Sequence, residues 1–326
     1  MSKVKDTDYL MLSAVLRAKE AKLLSKADYE RMLLEPDFGA ACRIAADRGY
    51  KDMSEMDVNQ INNALAERRA SELAEIRELI PDQSLLDLFR MKYGYHNAKL
   101  LVKSKGDLSS CEHLISDSGR FTMEQLREVY DSEEGNGDLP KIYADAIRES
   151  RNALARTNNP QLAEFILDKA YYHDMLAHAE KTGKSYIINY IKNRIDRTNL
   201  RSTLRTMYMG RRSELLKYAL IEGGNIGIDE ILNSMDVKDD LIKLYSSSIF
   251  HRAAEVPTMT EFELESDNAI ELYVSSGSYI AFGPEVVIEY VAALENELMA
   301  LRIILTGRIM GISPEALRGR LRESYV

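Results

Sequence analysis

VVIEYVAALENELMALRIILTGRIMGISPEALRGRLRESYV, residues 286–326, decides the fold. Apolar side chains fall at Val287, Tyr290, Val291, Leu294, Leu298, Leu301 and Leu305. These steps of three and four draw one stripe along a helix of about five turns. Gly307 and Gly311 are expected to break that helix. Ser313 then caps a second one, Pro314 fits its first turn, and Glu315 faces the positive end of its dipole. The pattern is a long amphipathic helix, a glycine-marked bend and a short basic helix.

The pattern recurs. SLLDLFRMKYGYHNAKLLVKSKG, residues 84–106, carries a stripe of Leu86, Phe89, Tyr93, His96 and Leu100, and YIINYIKNRIDRTNLRSTLRTMYMG, residues 186–210, follows the bend TGK. Aligned on a basic residue, the three long helices place Lys99, Arg201 and Arg302 in register at intervals of 102 and 101 residues. Phe89, Ile191 and Ala292 then correspond, as do Lys92, Arg194 and Glu295. Asn97 and Asn199 agree, and the third copy has Ala300 there. The trailing elements GRFTMEQL, GNIGIDEIL and GISPEAL each put a glycine before a short helix with an acidic first turn. Solenoid repeats have periods of about 20–50 residues. A period near one hundred instead predicts an all-α chain of three similar helical domains, each with its own core.

Composition agrees with helix: 45% hydrophobic residues, seven prolines and no tryptophan in 326 residues. That length exceeds one compact helical core. Between the repeats, residues 9–34 read as helix with a fresh start at Ser25. FGAACRIAADRGY ends a short helix at Gly49, and 57–79 form a long charged helix stopped by Pro81. Thr122 and Gln125 form a capping box, and 141–156 are a helix broken by TNNP. A further helix runs from Gln161 to about Lys181, residues 237–256 are helical, and another helix lies near 267–276. DSEEGNGDLP, residues 131–140, is the best linker, and PTMTEFELESDN around Pro257 is a second boundary. The expected domains are 1–138, 139–256 and 257–326.

A net charge of −9 argues against a general nucleic-acid binder, because phosphate neutralisation needs a basic surface. Cys42 and Cys111 match no metal spacing and read as reduced thiols. The N-terminus MSKVKDTDYL is charged where a signal peptide would be apolar. No apolar run approaches the ~20 residues of a membrane span, and Glu285, Glu289, Glu295 and Glu297 interrupt the densest one.

No catalytic, cofactor-binding or metal-ligating residue is identified. TGKS, residues 182–185, lacks the earlier glycine of a phosphate-binding loop: position 178 is His, and a helix precedes it instead of a strand. GGNIG from Gly223 has no lysine. His173 and His178, five apart, fall on different helix faces and cannot chelate as an i, i+4 pair would. His96, His113 and His251 are isolated, and the carboxylates are interleaved with basic residues as on solvated helix faces.

DLFRMKYGYHNAKLLVKSK (87–105), ELMALRIILTGRIMGISPEALRGRLRESYV (297–326) and LRAKEAKLLSKADYERML (16–33) resemble the C subunits of the bacterial and archaeal A/V-type rotary ATPases, relatives of the d subunit of the eukaryotic V-ATPase. The likeness spans the chain, although YLMLSAVLRAK departs from the family's usual opening. The resemblance implies a funnel of three helical domains about a pseudo-threefold axis. It implies a non-catalytic part of the central stalk, cytoplasmic and peripheral to the membrane. Its implied partners are the central-shaft subunits and the membrane rotor ring. Lys99, Arg201 and Arg302, with Asn97 and Asn199, are then the candidate contact residues. A helical adaptor unrelated to rotary motors is the alternative.

Overall fold

The computed structural model describes residues 4–209 and 215–322. The first three residues of the charged N-terminus, Gly210 of the second long-helix stretch and the last four residues of the C-terminal stretch lie outside them. The helices are α1 (Leu10–Glu20), α2 (Lys26–Leu34), α3 (Phe38–Ala46), α4 (Val58–Leu79), α5 (Ser84–Lys103), α6 (Met123–Asp131), α7 (Lys141–Thr157) and α8 (Pro160–Thr182). There follow α9 (Ser185–Tyr208), α10 (Leu216–Ala219), α11 (Ile228–Ser234), α12 (Lys238–Tyr245), α13 (His251–Glu255), α14 (Met259–Ser275), α15 (Pro284–Ile309) and α16 (Pro314–Arg318). No strand occurs among the described residues, so the fold is all-α.

The boundaries follow from local chemistry. Ser25 and Asp28 form a reciprocal box that starts α2, as do Asp57 and Gln60 for α4 and Thr122 and Gln125 for α6. Asn158 ends α7 in the left-handed region, and Asn159 caps α8 with Pro160 in its first turn. The expected helix over 9–34 is interrupted between α1 and α2, where Ser25 begins anew. The expected helix over 237–256 is two helices, α12 and α13, with a bend between them. The stretch around Pro257 is a helix start: Thr258 accepts the Glu261 N–H at 3.2 Å and donates to the Glu261 carboxylate at 3.0 Å.

The chain forms two compact units, Met1–Gln83 with Glu263–Val326, and Ser84–Phe262. In the first, α15 packs against α1, α2, α4 and α16. It is more deeply buried than one stripe implies: every residue from Pro284 to Leu294 is buried, including Glu285 and Glu289. A carboxylate there needs a partner. Arg17 reaches Glu289 at 2.9 Å and the carbonyls of Gly277 and Ile280 at 3.3 and 2.8 Å. Glu72 of α4 accepts from Lys19 at 2.8 Å and from the Tyr290 hydroxyl at 2.8 Å. The second unit is layered on α8, which packs against α5, α7 and α9. Leu216, Leu220 and Ile231 form a small core beside it.

Gly307 does not break α15. It lies inside the helix, where a Cβ would run into Leu317 of α16; the turn comes at Gly311, with φ +71°. Missing side-chain bulk at 307 therefore lets α16 fold back onto α15. Gly307→Ala is expected to destabilise the chain by about 1–3 kcal/mol through overpacking. Gly311→Ala, strained only in its backbone, should cost ~1 kcal/mol. Urea denaturation of both variants checks the ranking, and a neutral Gly307→Ala would contradict it.

Candidate functional site

The candidate residues belong to the repeated long helices, and the structure shows what several of them do. Asn97 of α5 donates to the Ser116 carbonyl at 2.8 Å and accepts from the Ser116 N–H at 3.0 Å. Asn199 of α9 does the same to Ile221, at 2.8 Å for both bonds. Each amide thus replaces a piece of secondary structure, satisfying both backbone groups of one residue in the segment that returns from its own helix. Two asparagines 102 positions apart make one two-bond clamp. Shared geometry of this kind supports the repeat more strongly than residue identity does.

Three positions before Asn97, Asn199 and Ala300 lies a second register: Gly94, Asp196 and Glu297. Asp196 is buried and accepts from the N–H groups of Asn225 at 3.1 Å and Ile226 at 3.2 Å, and from the Asn225 side chain at 2.8 Å. Gly224 has no side chain because a Cβ there would strike that carboxylate. In the first copy Gly94 leaves room for backbone instead: a Cβ on Gly119 would meet Gly94 Cα at 3.4 Å. Burial raises the Asp196 carboxyl pKa above the ordinary value, against the hydrogen bonds from Asn225 and Ile226.

Lys99 and Arg201 both come to the face of α8 that carries Asp168. The Lys99 ammonium bonds Asp168 at 2.6 Å, and Lys103 pairs with Glu164 one turn away. Arg201 lies across a groove of about 400 Å³ whose other wall includes Glu164, Phe165 and Asp168. Its wall on α9 also carries Thr198, Ser202 and Arg205. Arg302 is exposed on α15 of the other unit; its backbone carbonyl accepts from Thr306 at 2.7 Å. The structure therefore brings two of the three basic anchors to one acidic helix face, and shows Arg302 on a solvent-facing position.

The profile of the ATP synthase (C/AC39) subunit family matches residues 12–320. The chain belongs to that family. It is similar to the C subunit of the V-type sodium ATPase of Enterococcus hirae, 22% identical over 98% of this chain and 99% of that protein. The C subunit of the A-type ATP synthase of Methanocaldococcus jannaschii is 24% identical over 96% of this chain and 86% of its own. Its counterpart in the V-type ATP synthase of Thermus thermophilus is 19% identical over 98% of both chains.

Sequence reasoning missed the Gly94, Asp196 and Glu297 register, which lies three residues before Asn97, Asn199 and Ala300. A glycine and two acids share no side-chain chemistry, so the match is invisible until the crossing backbone is seen. It also missed a buried polar cluster that fastens the return segment of the first copy. Arg120 bonds Asp87 at 3.1 Å and lies 4.0 Å from Asp174, while Arg90 holds the Gly119 carbonyl at 2.8 Å. His178 Nδ1 sits 3.2 Å from the Asp174 carboxylate and 2.9 Å from its carbonyl. The hydrogen bond to Asp174 raises the His178 pKa above its usual 6.5.

Two expectations follow from these contacts. Asn199→Ala, at a fully buried clamp, should lower stability by ~2–4 kcal/mol, and Asn97→Ala, at a partly buried one, by ~1–3 kcal/mol. Lys99→Met, at a partly exposed ion pair, should cost under ~1 kcal/mol. Chemical denaturation tests the order, and equal losses at all three positions would refute it. For His178 the folded pKa is raised, so its contribution is complete below about 6.5 and fades as pH rises through the folded value. The stability gap between the wild type and His178→Gln should accordingly shrink from pH 6 toward pH 9.

Proposed function

We propose that this chain is a non-catalytic part of the central stalk of an A/V-type rotary ATPase or ATP synthase. It links the rotating shaft to the ion-carrying membrane ring and carries torque between them. The family match over residues 12–320 is the observation that carries this reading. It also favours the motor reading over an unrelated helical adaptor, which explains the helices but not the family. The relatives are named for ATPases and ATP synthases. No helix among the described residues is long and apolar enough to cross a membrane, so the proposed attachment to the membrane sector runs through other subunits.

A coupling piece has to transmit rotation without twisting. Close-packed helices are stiff, and side chains that clamp backbone remove the slack that loops would add. On this reading the chain is three similar domains over 1–138, 139–256 and 257–326, arranged as a funnel about a pseudo-threefold axis; the matching Asn97 and Asn199 clamps support the likeness of the first two. In this proposal Lys99, Arg201 and Arg302 stand at equivalent points of the three domains and brace the opening against shaft and ring.

Alanine at Lys99, Arg201 and Arg302 together is expected to leave ATP hydrolysis running while ion pumping falls in the assembled enzyme. Parallel assays of hydrolysis and transport in vesicles measure the ratio. An unchanged ratio would remove the three side chains from the coupling path. Copurification of shaft and ring proteins with the tagged chain tests the assignment itself.

A further inference from the structure

The third repeat lacks the segment that the first two clamp. Eighteen residues separate α5 from the cap of α6 at Thr122, and eighteen separate α9 from the cap of α11 at Gly227. Only residues 310–312 separate α15 from its following cap at Ser313. Returning from Ile309 to the level of Glu297 means travelling back about 18 Å along the helix. Three extended residues span at most about 11 Å. The three residues that join α15 to α16 cannot reach back to the level of Glu297, and the clamp position holds Ala300 in place of Asn.

The place is nevertheless filled. Glu297, in register with Asp196, is 4% exposed and accepts from the backbone N–H of Leu24 and from the hydroxyl of Tyr50. These partners lie 273 and 247 residues earlier in the chain. Leu24 and Tyr50 are themselves buried. The chemistry matches the second copy: a buried carboxylate on the long helix takes a backbone N–H from a segment that crosses it. Only the source of the segment differs.

We infer that the N-terminal segment around Leu24–Tyr50 is a strap that stands in for the missing return segment of the third repeat, with Glu297 as its fastener. The strap is held by a second fastening as well. Arg308, near the end of α15, donates to the carbonyls of Met32 and Glu35, the latter at 2.5 Å, and Arg318 of α16 grips Glu30 through two nitrogens at 2.7 and 2.9 Å. Release of this strap is what opens the third repeat, whereas opening of the first two requires only their own adjoining segments to lift. The inference does not depend on the motor assignment.

Amide hydrogen exchange on the full chain tests it. Glu297→Gln should speed exchange at the Leu24 amide by about tenfold or more while Gly311 and Ile312 keep their wild-type rates. Asp196→Asn should act in the same way on Asn225 and Ile226, its own crossing segment. If Glu297→Gln loosens the whole unit, Tyr50→Phe is read instead. That variant leaves the carboxylate in place and removes one of its two donors, and it should still raise exchange at Leu24 several-fold with no change at 311–312. Wild-type protection of Leu24 in Tyr50→Phe, or deprotection that appears at 311–312 in either variant, would overturn the inference.

Discussion

Three glutamates buried along one helix set the terms for the first unit. Glu285, Glu289 and Glu297 sit on α15 with almost no access to water, in a helix whose first eleven residues are all enclosed. A carboxylate in that environment is tolerated only if donors or cations surround it. The donors come from the opposite end of the chain: Arg17 for Glu289, Leu24 and Tyr50 for Glu297. Glu72 of α4 adds a further acid, shared between Lys19, Arg68 and Tyr290. Apolar burial brings these helices together, but the acids fix which helices they are and in what register. Removing one partner of such a pair leaves the other stranded, so the arrangement is specified more sharply than an all-leucine seam would be.

The second unit meets a related need with side-chain amides and one buried carboxylate. Asn97 and Asn199 satisfy both backbone groups of a crossing residue, and Asp196 takes two further N–H groups where Gly224 lets the chain come close. A loop that would otherwise carry unpaired backbone polar groups over a buried helix is thereby made part of the core. The same logic accounts for Gly307, which admits α16 by having no side chain. Glycines and amides at fixed helical positions convert connecting segments into packed structure. That is the mechanical property the proposed torque-bearing role needs.

Much of this could be read without coordinates. The 102- and 101-residue intervals, the helix start at Ser25, the capping box at Thr122 and the termination at TNNP all depend on neighbours within a turn or on helical periodicity. Errors fell where tertiary contact overrides local signals. Gly307 looked like a stop because isolated glycine weakens a helix, but a close-packed neighbour reverses the argument. The buried glutamates of α15 looked like interruptions of an apolar run. They are its anchoring points, because their partners lie more than two hundred residues away.

What the sequence alone determined is the all-α class, most helix limits, the three long helices and the asparagines that two of them share. These features are local or periodic, and a single strand of text preserves both. What only the tertiary structure decided is which segment covers each long helix. Asn97 and Asn199 hold residues that follow them, whereas Glu297 holds residues from the start of the chain. Nothing in a linear pattern records that exchange, because a buried carboxylate accepts any N–H that geometry delivers, and geometry is settled by the packing of distant helices.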